Sequence, residues 1–357
     1  MTKKQAARAF IFLALFIFIL TAVTYIVRTN GGVKDRFVGF YAEKENTLDV
    51  ILVGSSPVYP AYSAPKLYGE QGIASYPLSS NNQRPKAIKY LLKEAQKTQD
   101  PSLFVIEMKM FTMPDEEWED TMVFTRGVTD NMKYSLNRID AIRALVSDKK
   151  ERYTYYFDIF KYHSNWKTMI LPSQLACWHY EKPHPLKGLE IKLGVGPAVR
   201  QDVSSVTGQK RPAPEQEEVL KDLLSYLRST GKGALFLISP YTMEESEKMQ
   251  YNYMASLIGE QGYAVLDLNE YTDQMGLDFS TDFYDYGDHV NALGEAKCTA
   301  FLGQYLKEHY ELPDRRGQDG YESWNRAYEL YLTEQKKAEE SCLSDIANQN
   351  WAPEVIE

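Results

Sequence analysis

The chain has 357 residues, with 40 Lys+Arg against 49 Asp+Glu, a formal charge of −9. Its 44% hydrophobic and 25% charged residues are the mix of an ordinary globular protein and exclude a disordered chain. The acidic balance argues against nucleic acid as a partner, because phosphate backbones need a basic face.

The first element is a run of nineteen residues without a charge, 9–27 (AFIFLALFIFILTAVTYIV). As a helix rising about 1.5 Å per residue, it matches the hydrocarbon thickness of a bilayer. Lys3, Lys4 and Arg8 precede it, so the positive-inside rule puts residues 1–8 in the cytoplasm and the body outside. Arg28, Lys34 and Arg36 weaken that bias without reversing it. Thr21-Ala22-Val23-Thr24-Tyr25 is a poor cleavage site, which favours a retained anchor over a cleaved signal. The first 30 residues carry four positive charges and no acid, leaving −13 on the remainder.

Residues 28–44 read as a linker and 45–312 as one α/β domain. Short apolar runs at 48–53, 103–108, 234–238 and 264–268 predict buried strands. Amphipathic stretches at 85–97, 216–230, 245–260 and 295–310 predict the helices between and after them. Strand alternating with helix implies a mostly parallel sheet covered on both faces. Ligand crevices of such folds lie beyond the strands' carboxyl ends. Gly54–Pro57, Glu107–Phe111, Ser239–Tyr241 and the loop after Leu268 are therefore expected to converge. The Tyr-, Trp- and Met-rich stretch 112–214 breaks the alternation and reads as an insertion over the sheet edge, in the manner of a lid. Residues 313–357 read as a helical extension, with a helix over 321–341 packing through Trp324, Tyr328 and Tyr331.

Two segments carry candidate chemistry. Gly54-Ser55-Ser56 follows the first strand, where a small-residue turn lets a serine project. Asp282-Phe-Tyr-Asp285-Tyr-Gly-Asp288-His289-Val-Asn291 precedes the last helix of the domain. A serine hydroxyl becomes a nucleophile when a base takes its proton, and histidine is the side chain poised for that near neutral pH. A carboxylate then fixes the imidazole tautomer.

Together these segments resemble the two catalytic blocks of the SGNH/GDSL hydrolase superfamily. Ser56 matches the nucleophile, and Ser55 stands where that block has aspartate. The usual Asp-x-x-His spacing is absent, since Tyr286 lies three residues before His289. Asp285, with one extra loop residue, is the favoured acid, and Asp288 is the alternative. Tyr76–Gln83 occupies the place of the next block, so the resemblance implies Asn81 or Asn82 as an oxyanion donor beside the Ser56 N–H, with Ser55 at the substrate. No Gly-x-Asn-Asp follows the second strand; Glu107-Met-Lys-Met110 stands there instead. The chain is most similar to membrane-anchored cell-surface members from Gram-positive bacteria, such as the D-alanyl transfer protein of teichoic acids and the alginate O-acetylation proteins. Residues 126–137 (RGVTDNMKYSLN), 162–166 and 312–317 add to that likeness.

The resemblance implies a three-layer α/β/α, flavodoxin-like fold and an extracytoplasmic serine esterase or O-acyltransferase working through an acyl-serine. It implies a cell-envelope glycan or teichoic-acid polymer as substrate and a multispanning membrane acyltransferase as partner. A non-catalytic glycan-binding or assembly protein with the same fold is the alternative. No cofactor is expected, and no His/Cys/carboxylate cluster has metal-ligand spacing. His163, beside Tyr162 and Trp166, reads as a packed, hydrogen-bonded histidine, and Glu107 with Lys109 as a structural pair. His179, His184 and His309 have no motif around them. Cys177, Cys298 and Cys342 allow one disulfide at most.

Overall fold

A computed structural model describes residues 1–28, 31–115, 122–169 and 182–353. Helix α1 (Lys3–Val27) contains the whole uncharged run and is long and apolar enough to cross a membrane. Thr2 caps it, its hydroxyl accepting from the Gln5 N–H at 3.3 Å. Phe10 and Phe12 are more than 70% exposed, as a lipid-facing surface would be. The last turn docks on the body. Arg28 Nε lies 2.7 Å from Asp158 Oδ2, and Asn165 Nδ2 donates to the Val27 carbonyl at 3.0 Å.

The segment read as a linker, 28–44, instead holds helix α2 (Gly32–Tyr41). Phe37 and Phe40 are fully buried, and the Tyr76 hydroxyl donates to the Arg36 carbonyl at 2.8 Å. Its charged residues hid this packing in the sequence: Lys34 and Arg36 are themselves buried, their charged heads meeting Tyr25 and Tyr59 rings.

The sheet is wholly parallel: β1 (Val50–Val53), β2 (Ser75–Pro77), β3 (Leu103–Glu107), β4 (Gly233–Ile238) and β5 (Ala264–Asp267), ordered β2-β1-β3-β4-β5. The four expected strands form at the expected places. β2 is an addition; three residues ending in proline leave no apolar run to read. Ile51, Val53, Phe104, Ile106 and Phe236 pack on one face, under the helix Pro85–Ala95 and two further helices. Val50, Leu52, Val105, Leu235 and Leu237 pack on the other. Burying both faces explains why these strands are continuously apolar, each such side chain contributing roughly 1.5–3 kcal/mol.

The helices of the body include α3 (Val58–Ala61), α4 (Ala64–Gln71), α5 (Pro85–Ala95), α6 (Met122–Thr129), α7 (Leu136–Leu145), α8 (Pro214–Thr230), α9 (Glu245–Glu260), α10 (Ala292–His309) and α11 (Glu322–Asn348). Within the insertion, residues 122–169 are largely helical and dock on α5, where Asn137 Nδ2 donates to the Tyr90 carbonyl at 2.9 Å. This helical part thickens one helical layer, because Val128, Met132, Ala141 and Leu145 join that layer's core, while Arg200 of the later part donates to the Asn269 carbonyl just after β5 at 3.0 Å. Cys298 and Cys342 are free and buried, and Cys177 lies outside the described residues.

Helix α10 is tied to α11 by Glu295. Its carboxyl lies 2.7 Å from the Thr299 hydroxyl and 2.9 Å from the Tyr331 hydroxyl. Burial pushes that carboxyl up to about 7, against the opposing pull of the two hydroxyls. A carboxyl raised on folding contributes stability that is complete below its unfolded pKa, near 4.5, and is lost as pH rises through 7. The shift corresponds to on the order of 3 kcal/mol. Glu295→Gln should therefore narrow the gap in thermal unfolding temperature between pH 4.5 and pH 8, measured on the full chain in neutral detergent. A gap identical to wild type would show that Glu295 does not titrate in this window.

Candidate active site

In this strand order the connections reverse direction between β1 and β3, which opens a crevice at their carboxyl ends. Ser56 sits there. β1 runs into Gly54, whose φ of +150° suits glycine, and a Cβ at this position would lie 2.5 Å from the Glu107 Cβ. Val58 N–H donates back to the Ser55 carbonyl at 3.2 Å, closing the turn into α3. The turn sends the two serines opposite ways. Ser55 is 1% exposed and its Oγ accepts from the Gln83 N–H at 3.2 Å, whereas Ser56 remains partly open to solvent.

The acid–base loop is closed at its base. Phe283 and Val290 form an antiparallel bridge, and Tyr284 N–H donates to the His289 carbonyl at 3.1 Å. Asn291 then caps α10, its Oδ1 accepting from the Leu293 N–H at 3.0 Å while Nδ2 donates to the Thr281 carbonyl at 2.8 Å. At the tip, Tyr286 and Gly287 are both left-handed, with φ of +62° and +96°. A Cβ at Gly287 would lie 2.4 Å from Thr242 Cγ2. These two residues absorb the extra position relative to Asp-x-x-His and turn Asp285 back toward the histidine.

His289 is gripped from both sides. Nε2 lies 2.7 Å from Ser56 Oγ, and Nδ1 lies 2.6 Å from Asp285 Oδ2. The other Asp285 oxygen accepts from the His289 backbone N–H at 2.7 Å, so one carboxylate orients both ring and main chain. Tyr284 stacks on the imidazole at 5.8 Å between centroids. A serine–histidine–carboxylate chain in this order can pass the Oγ proton to Nε2 while holding the Nδ1–H tautomer.

Asp288, the alternative acid, stands 3.4 Å from Nδ1 and is half-exposed. It is ion-paired with Lys109. Burial disfavours its charge, but Lys109 and then His289 outweigh this and lower its pKa. Below lies Glu107, 3% exposed, accepting from the Lys109 N–H at 2.8 Å and the Ser55 N–H at 3.3 Å. Burial raises Glu107 to about 7 despite those two donors. Glu107 thus bonds the Lys109 main chain, while the Lys109 ammonium bonds Asp288. The two residues link β3 to the serine turn and to the histidine loop respectively, which spacing along the sequence did not reveal.

The structure brings together Ser56, His289 and Asp285, with Asp288 as a more distant neighbour. It does not bring in Ser55, whose side chain is turned inward. Asn81 Oδ1 accepts from the Tyr59 hydroxyl at 3.0 Å, and no hydrogen bond ties Asn81 or Asn82 to the triad among the described residues. Asn82 is left-handed, with φ of +39°. Gln83 was missed; its Nε2 is buried without a hydrogen-bond partner among the described residues, a feature no sequence pattern signals. The expected convergence of loops holds in part. Tyr62 and Ser239 hydroxyls meet at 2.9 Å, and Asn269 bridges Ser239 and Tyr241.

Asp285, Asp288 and His289 bring ligand-type atoms within 4.8 Å of one another, the sole such cluster among the described residues. That spacing arises from the tertiary fold of the loop. His163 is exposed, its Nδ1 3.2 Å from the Phe160 carbonyl, so it is bonded but not packed. His184 is partly buried, its Nδ1 accepting from the Gly188 N–H at 3.0 Å, and desolvation lowers it to about 4. His309 stacks on Tyr305, and His179 lies outside the described residues. No protein-family model matches the chain, and no curated protein matches it.

Proposed function

We propose that this protein is a membrane-anchored serine acyl esterase or O-acyltransferase of the SGNH type, acting outside the cytoplasmic membrane on acyl groups of an envelope polysaccharide or teichoic acid. The observation that carries the reading is the unbroken chain from Ser56 Oγ through both His289 nitrogens to Asp285, at 2.7 and 2.6 Å. A wholly parallel sheet in the doubly wound order, with the serine directly after β1, supports it.

In the reaction, Ser56 Oγ attacks the ester carbonyl carbon as its proton moves to His289 Nε2. The oxyanion meets the Ser56 backbone N–H. Collapse breaks the carbon–oxygen bond to the leaving alcohol, which takes the proton from Nε2 and leaves acyl-Ser56. Water or a glycan hydroxyl then gives its proton to Nε2 and attacks the acyl carbon; the bond from that carbon to Ser56 Oγ breaks, Oγ takes the proton back from Nε2, and an acid or a new ester is released. Asp285 stabilises the imidazolium in both halves. The anchor raises the local concentration of envelope polymer, which favours transfer or deacylation there. A multispanning acyltransferase supplying the acyl group fits this arrangement as a partner.

A charged, membrane-impermeant fluorophosphonate should label the wild-type chain on intact protoplasts and fail to label Ser56→Ala. Labelling in lysates but not on protoplasts would overturn the orientation alone. Absence of labelling in both would overturn the acyl-serine reading and return the glycan-binding alternative.

A further inference from the structure

Where α1 meets the body, a cavity of about 360 Å³ lies between the start of α2 and the insertion, a size within the range of small-ligand sites. Arg28, Lys34, Arg126 and Lys161 line it, with Asn81 at one wall, and Asp130 is the one acid among its described lining residues. The body as a whole is acidic, so this concentration of cations is local.

Arg126 gives the cavity its chemistry. It is 4% exposed and held rigidly: one terminal nitrogen lies 3.2 Å from Asp130 Oδ2, the other donates to the Thr154 hydroxyl at 2.8 Å, and the guanidinium stacks on the Tyr155 ring at 3.9 Å. Its Nε is buried and has no hydrogen-bond partner among the described residues. A buried charged donor without an acceptor is costly, and an anionic oxygen would offset that cost. Asp130 does not fill the role, because its Oδ2 also takes the Tyr162 hydroxyl at 2.5 Å. Asp158 is occupied by Arg28 and Arg138. Arg28 and Lys34 follow α1 closely in the chain, so a helix spanning a bilayer sets the cavity at headgroup level.

We propose that this cavity is an anion site for a phosphate ester, whose position at the end of α1 suits the headgroup of a membrane phospholipid. A phosphate in the cavity meets the Arg126 guanidinium, whose Nε has no other acceptor among the described residues, and exposed Lys161 adds a further charge. The same chemistry is offered by a soluble phosphate ester, and the test separates the two sources. Full-length protein in a neutral maltoside detergent is titrated calorimetrically with dihexanoylphosphatidylglycerol and with glycerol 3-phosphate. Saturable binding is expected, weakened about tenfold or more by Arg126→Gln and by Lys161→Glu. Tighter binding of the lipid assigns the bilayer as source, and equal binding assigns a soluble phosphate ester. Lys161 is exposed, so its variant keeps the fold if Arg126→Gln does not. No saturable binding of either compound, or binding that Lys161→Glu and a folded Arg126→Gln leave unchanged, overturns the proposal. The readout is binding and requires no turnover at Ser56.

Discussion

Ser56→Ala and His289→Ala should each lower turnover of p-nitrophenyl acetate by roughly 10⁴-fold or more, and the double variant should be no worse than either single one. The reason is geometric. The hydroxyl proton has one partner poised to take it, Nε2 at 2.7 Å, and removing either member of that pair removes the step itself. Residual catalysis then comes from binding and the oxyanion donor alone, which both variants keep. Ser56 and His289 are both partly exposed, so truncation there leaves the core intact. Turnover that persists at the wild-type rate in both variants would remove the main support for catalysis at this site. Losses that multiply in the double variant would mean that the two side chains do not act together.

Asp285→Asn should cost about 10³–10⁴-fold in kcat, and Asp288→Asn no more than about tenfold. Both carboxylates approach Nδ1, but they differ in what else they do. Asp285 reaches the ring at 2.6 Å and the His289 main chain at 2.7 Å, so an amide there permits the wrong tautomer and loosens the loop together. Asp288 is at 3.4 Å, and its charge is already matched by Lys109. Replacing it leaves Lys109 without its partner, which gives a modest loss through the shape of the loop. The reverse order of effects, with Asp288→Asn the more damaging, would assign the triad acid to Asp288. Steady-state kinetics at one pH decides the matter, provided the variants have wild-type unfolding temperatures.

Several features of this molecule were legible in the chain because they are local. A run of nineteen uncharged residues becomes a helix wherever it sits, since its backbone can be satisfied only internally in an apolar medium. Four apolar runs become strands buried on both faces, because Ile51 and Val53 face one core while Val50 and Leu52 face the other. Ser56 and His289 were readable for the same reason: each sits at a boundary between a strand or helix and its turn, and the parallel alternation dictates that both arrive at one edge of the sheet.

What only the tertiary structure decided depends on contacts between distant residues. Asp285 and Asp288 are indistinguishable by residue type, and the choice lies in two left-handed positions, Tyr286 and Gly287, and in a bridge at Phe283 and Val290. Lys109, 179 residues before Asp288, neutralises the rival acid. β2 forms because β1 offers it a parallel edge, although Ser75–Pro77 carries no strand pattern of its own. The helix at Gly32–Tyr41 is hidden in the sequence because its charges have a solvated pattern, whereas aromatic rings and carbonyls elsewhere in the fold bury them. The Tyr59 hydroxyl, 22 residues before Asn81, fixes one face of its amide through Oδ1. Sequence patterning reports which side chains leave water, a property each segment carries alone; which charge meets which, across a hundred residues or more, is set by packing and is written in no single segment.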